Sequence, residues 1–194
     1  MKNNEGKRNR FIEILEIIYA IIFACAIAKM LDMFPEPKDF FSITLKIWSC
    51  IFISVFVLIR FFFAPSKNVK ILVDRIEKHR RLIMFFDVPA LLAHSFIFYL
   101  MCLSVKNEEI FYRWFFYLLF GNAIWLGSIW LRLYKDPEIS YIKKWSINNI
   151  VFFGAFTITF YVFGVYSWVL WFFLAFFNST IDIYITYKDY LSAD

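Results

Sequence analysis

The chain has 194 residues, 61% hydrophobic and 23% aromatic, with 27 Phe, only five Gly and a formal net charge of +5. Soluble chains carry about 45–50% apolar residues, so the composition excludes an ordinary water-soluble domain and leaves no room for a separate catalytic one. The basic balance is no nucleic-acid footprint, because Lys and Arg fall between the apolar runs, where they orient a membrane chain and meet anionic lipid.

Residues 1–10 form a basic tail with Lys2, Lys7, Arg8 and Arg10. A first span is predicted over residues 11–33. It lacks a small-residue cleavage site and has full spanning length, so it reads as a span rather than a signal peptide. Glu13 and Glu16 lie in its first turns, and Ala20, Ala24 and Ala28 recur on the same face. Small residues at that spacing let helices approach closely, within one chain or between copies. Pro35 and Pro37 close the segment.

The second span covers residues 40–63, with Lys46 two turns in and Arg60 at its end. In residues 66–81, Val69, Leu72, Val73 and Ile76 fall on one helical stripe, while Lys67, Lys70, Lys78 and Arg81 point elsewhere. That pattern predicts a short amphipathic helix in the headgroup layer on the cytoplasmic side, in contact with anionic lipid. A helical connector running straight into the next span fits the same residues.

The third span, residues 82–105, carries Asp87, Pro89 and His94 in an apolar setting. A charge in a membrane helix costs at least a few kcal/mol and is rarely kept without a partner or a task. Asp87 and His94 are two turns apart on one face, about 10 Å along the axis, which is too far for a direct hydrogen bond. Asp87 is expected to be either paired, with Arg60 or with His94 through water, or wet. Free imidazole changes charge near neutral pH, and that residue type gives position 94 a claim to proton chemistry.

The fourth span, residues 110–133, carries Asn122 at mid-depth beside Gly121, a second small-residue pair in Ala123 and Gly127, and Arg132 at its end. From residue 147 to 187 the chain is apolar for about 40 residues. One helix of that length would be roughly twice the hydrocarbon thickness. Gly164 marks a hairpin, which divides the run into spans over 147–163 and 166–187. Asn148 and Asn149 open the fifth span; Asn178 and Asp182 lie one turn apart in the sixth.

The expected fold is therefore an all-α integral membrane bundle of six spans, in one domain over residues 1–194. Placing the N-terminus inside puts four, seven, four and one of the 21 Lys and Arg on the inner side, so both termini are expected in the cytoplasm of a bacterial-type inner membrane. The carboxylates and asparagines suggest a path for ions or protons built from Asp87, His94, Asp182, Asn178, Glu13, Glu16 and Asn122, in a chain that self-associates through its small-residue seams. The alternative is a non-conducting membrane scaffold that binds a cytoplasmic protein through its basic loops. A membrane enzyme ranks last. No HExxH, GxSxG or Gly-rich phosphate loop occurs, and Cys25, Cys50 and Cys102 form no CxxC, so neither a metal nor a cofactor is expected. Two intramembrane histidines for a haem are lacking, since only His94 lies within a span.

Overall fold

Long apolar runs with few glycines leave the helix as the simplest way to satisfy every backbone polar group. The computed structural model describes residues 2–32, 45–74, 86–133, 140–162 and 167–191, and among these it is all helical, with no strand. The helices are α1 (Lys2–Asp32), α2 (Leu45–Asp74), α3 (Val88–Leu103), α4 (Glu108–Leu133), α5 (Ser140–Thr157) and α6 (Trp168–Leu191). A π-helical turn, Ile158–Val162, extends α5.

Neighbours follow the circuit α1–α3–α4–α5–α6–α2 and back to α1. Contacts of α4 with α2 and α6 cross it, so side chains fill the middle. Aromatic rings make much of the packing. Phe23 meets Phe98 at 5.0 Å between centroids, Phe116 stacks on Phe153 at 4.9 Å, and Phe160 stacks on Trp171 at 4.3 Å.

Local chemistry explains the helix ends. Asn107 caps α4 by accepting the Ile110 N–H on Oδ1 at 3.2 Å, with Glu108 and Glu109 in the first turn and Arg132 in the last. Ser167 accepts the Leu170 N–H on Oγ at 3.4 Å and so caps α6. Pro89 sits in the first turn of α3, where its missing N–H costs nothing, so it starts a helix rather than kinking one.

Three expectations change, and one, the Ala20, Ala24 and Ala28 seam, narrows to its form between copies of the chain. The basic tail is not separate, because α1 is helical from Lys2. Residues 66–74 are not an independent interfacial helix; α2 runs unbroken through Pro65 to Asp74. Proline removes one hydrogen bond from a helix, and the rest of this long helix tolerates that loss. Lys67 and Lys70 thus lie on the extension of α2, with Lys78 and Arg81 outside the described residues. The Ala20, Ala24 and Ala28 stripe faces away from the bundle, while Phe23, Ala26 and Met30 turn inward. Finally, Asp87 is paired with Arg132, as described below.

Among the described residues, two helical stretches are by length and composition apolar enough to cross a membrane, Glu108–Arg132 and Trp168–Ile185. Leu45–Ile59, within α2, and Val88–Leu103 are shorter apolar helical stretches. The 147–187 run is divided, with α5 and α6 as separate helices packed side by side. Gly164 lies outside the described residues.

Candidate functional site

Apolar and polar side chains are distributed inside out. Ile21, Phe52, Phe96, Ile124, Ile150 and Phe177, one on each of the six helices, are exposed. Asp87, His94, Asn122, Asn148, Asn149, Asn178, Ser179 and Asp182 are buried. Burying a polar group costs free energy unless a partner is found, so each one asks for an explanation.

The first cluster joins the start of α3 to the end of α4. Arg132 grips Asp87 in a fork, with Nη2 donating to Oδ1 at 2.6 Å and Nη1 donating to Oδ2 at 3.1 Å. The Trp125 indole N–H donates to the same Oδ1 at 2.9 Å. Arg132 Nε donates to the Ser128 carbonyl at 3.1 Å, which fixes the guanidinium plane. Bidentate Arg–carboxylate pairs are among the strongest charge-assisted contacts. α3 and α4 are consecutive helices joined by the tight turn at residues 104–107, so the start of one lies beside the end of the other. The side chain of Arg60 lies outside the described residues.

His94 continues this cluster inward. Its Nδ1–H donates to the Ala90 carbonyl, and its ring lies 5.6 Å from that of Trp125. Trp125 therefore touches both polar residues of the α3 stripe. Gly121 makes room for the imidazole, since a Cβ there would lie 3.0 Å from His94 Nε2.

The second cluster lies between α5 and α6. Asn148 Nδ2 donates to Asp182 Oδ1 at 2.8 Å and to the Asn178 carbonyl at 3.2 Å. The Trp145 indole N–H donates to the Asp182 carbonyl at 3.3 Å. Asn149 is spent on its own helix, donating to the Trp145 carbonyl at 2.8 Å. Asn178 is fully buried, and neither its Oδ1 nor its Nδ2 has a hydrogen-bond partner. Ser179 Oγ, also fully buried, has none either, nor does Asn122 Nδ2. Leaving one such group unsatisfied costs about 1–3 kcal/mol. By contrast, Ser54 and Ser95 donate to carbonyls four residues back in their own helices.

Near the opposite end of α4, Lys46 and Glu108 pair at 2.6 Å, and Ser49 Oγ meets the buried Tyr112 hydroxyl at 3.1 Å. Tyr112 packs edge-on against Trp171, and Phe156 and Phe160 pack on the same indole.

The predicted site residues are thus dispersed. Asp87 and His94 share the α3–α4 cluster; Asn178 and Asp182 share the α5–α6 cluster. Asn122 is buried on α4. Glu13 is exposed on α1, and the side chain of Glu16 lies outside the described set. Gly127 faces α5, with Ser146 Oγ 3.6 Å from where its Cβ would be, and Ala123 is half-buried one turn before it. Sequence reasoning missed Trp125 and Trp145, each of which donates its ring N–H within one of the two clusters. Among the described residues no group of three or more His, Cys, Asp and Glu is placed to hold a metal ion. Comparisons with protein-family models, with curated proteins and with solved structures give no match.

Proposed function

We propose that the chain is a six-span integral membrane protein, with both termini in the cytoplasm, that passes protons or small cations through its polar interior. An apolar exterior over six helices, around buried Asp, His, Asn and Ser, supports embedding in lipid, where polar residues turn inward. Transport rests chiefly on one observation: polar capacity remains after structural hydrogen bonds are assigned. Asn122 Nδ2, both ends of Asn178 and Ser179 Oγ are buried without partners. Asp87 serves as a structural lock in this reading, and the α5–α6 cluster carries the path. Toward the other end, Tyr112, Phe156, Phe160 and Trp171 close the way until the helices rearrange.

The test is proton and K⁺ flux in liposomes holding the purified protein, with folding checked by circular dichroism. Wild type should conduct, and Asp182→Asn should reduce flux at least tenfold while the protein stays folded. A reporter joined after Asp194 should report cytoplasm, and one inserted at Gly164 the outside.

A second reading has its own support. The Arg132–Asp87 fork and the aromatic packing around Trp171 both close the interior. They favour a non-conducting membrane partner that binds a cytoplasmic protein through its basic loops. Absence of flux from well-folded wild type, under any ion gradient, would select it.

A further inference from the structure

Asn178 and Ser179 stand side by side on α6, both fully buried. Neither the amide oxygen nor the amide nitrogen of Asn178, nor the Ser179 hydroxyl, has a hydrogen-bond partner among the described residues. The rest of this turn is held. Asn148 Nδ2 donates past the Asn178 side chain, to the Asn178 carbonyl and to Asp182 Oδ1, and the Trp145 indole holds the Asp182 carbonyl. Asp182 is thus engaged by its neighbours, and its charge is already committed. A helical hydroxyl has a ready bond within its own helix. Ser54, Ser95 and Thr157 each donate to the carbonyl four residues back. For Ser179 that carbonyl belongs to Ala175, and the hydroxyl forgoes it. Ala175 lies one turn before both residues, is also fully buried, and brings only a methyl group to their face.

The open groups are neutral, and between them they both donate and accept. A buried water typically makes about three hydrogen bonds to groups otherwise unsatisfied, and Asn178 Oδ1, Asn178 Nδ2 and Ser179 Oγ offer it three. A metal cation stripped of its water needs instead a shell of oxygens and an opposite charge, and two neutral side chains supply neither. We propose that Asn178 and Ser179 hold an ordered water inside the bundle, which makes this turn a passage for protons and not for alkali cations. The water takes up a proton on its oxygen from one side and releases another of its protons on the far side, so it ends unchanged and no charge stays behind. A proton needs only that hydrogen-bonded link, whereas an alkali ion would have to displace the water whole. The passage of protons rests on the transport reading; the water does not.

The experiment uses the full chain in liposomes, with its asparagines labelled with nitrogen-15. Solid-state NMR follows magnetisation passing from water protons to the side-chain amides. The Asn178 signal is identified by its loss in the near-isosteric Asn178→Leu. It should receive water magnetisation severalfold faster than the amide of Asn149, which is equally buried but donates to the Trp145 carbonyl. Ser179→Ala leaves the Asn178 amide in place and removes one of the water's partners, so the transfer should slow severalfold. In the same liposomes wild type should pass protons and no K⁺, and Asn178→Leu, folded by circular dichroism, should pass protons at least tenfold more slowly. An Asn178 amide as dry as that of Asn149 overturns the water site, whatever the flux. Unchanged transfer in Ser179→Ala overturns the sharing of one water by the two residues. K⁺ flux comparable with proton flux overturns the assignment to protons. A watered amide without any flux retains the site and removes the transport reading.

Discussion

Asp87 presents both carboxylate oxygens to the guanidinium of Arg132, at 2.6 Å and 3.1 Å, across the contact of α3 with α4. The two partners differ in their access to water, since Asp87 is 1% exposed and the Arg132 side chain 20%. Removing either one therefore has a different cost.

Arg132→Gln leaves a buried carboxylate with only the Trp125 indole, and stranding such a charge costs about 3–5 kcal/mol. Asp87→Asn leaves a guanidinium that can reach toward solvent along its flexible stem, at about 1–3 kcal/mol. Chemical denaturation of both variants should rank them in that order, and the double variant should show coupling. Equal losses, or independent ones, would mean that the fork contributes little in solution.

Trp125→Phe keeps the ring beside His94 and deletes the N–H that reaches Asp87 Oδ1 at 2.9 Å. A hydrogen bond to a charged group is worth about 1.5–3 kcal/mol. The variant should lose that much stability in the wild-type background and much less in an Asp87→Leu background. A similar loss in both backgrounds would assign the effect to packing alone.

Gly121→Ala offers a test by sign. Alanine is better than glycine inside a helix by about 0.5–1 kcal/mol. Here the new Cβ meets His94 Nε2 at 3.0 Å, and the ring is held by the Ala90 carbonyl and flanked by Trp125. Overpacking of this kind costs about 1–3 kcal/mol, so the substitution should destabilise the wild type. In a His94→Ala background the space opens and the same substitution should stabilise. Thermal unfolding of the four proteins reads the reversal.

Ala24→Leu should leave the stability of a single chain within about 0.5 kcal/mol, because Ala20, Ala24 and Ala28 face outward and a surface change costs little. Mass measurement in detergent alongside the unfolding curve separates chain from assembly. A drop in stability without any change in mass would contradict the outward placement.

Much of the site was legible as levels and faces. Counting from the segment ends placed Asp87 and Arg132 at the same depth, and the two-turn spacing placed His94 on the stripe of Asp87. The pairing was not legible, because it depends on which helices are neighbours. The turn at residues 104–107 makes α3 and α4 adjacent, and that brings Arg132 to Asp87. Trp125 escaped notice because an indole in an apolar run looks like core. Its signal is positional: Ser128 follows it by one turn and Arg132 by two, on a shared face. Spacing gave the Ala20, Ala24 and Ala28 stripe a face, but no periodicity says what a face touches. Pro65 misled as a boundary, since α2 absorbs the loss of one hydrogen bond.

The fork between Asp87 and Arg132 also bears on how the protein is made. The acid is synthesised well before its base, with the whole of α3 and most of α4 between them. If the six-span reading holds, α3 delivered alone would carry a bare carboxylate into the hydrocarbon, whereas α3 and α4 delivered as a hairpin would enter with that charge already cancelled. Biogenesis should then wait for the fourth helix before releasing the third from the insertion machinery. In chains whose single cysteine is Cys102 and whose tether clears the ribosome, truncation after Lys106 should leave that thiol open to a water-soluble maleimide, and extension past Pro137 should protect it. Arg132→Gln in the longer chain should restore labelling; equal protection of all three would show that the two helices are inserted independently.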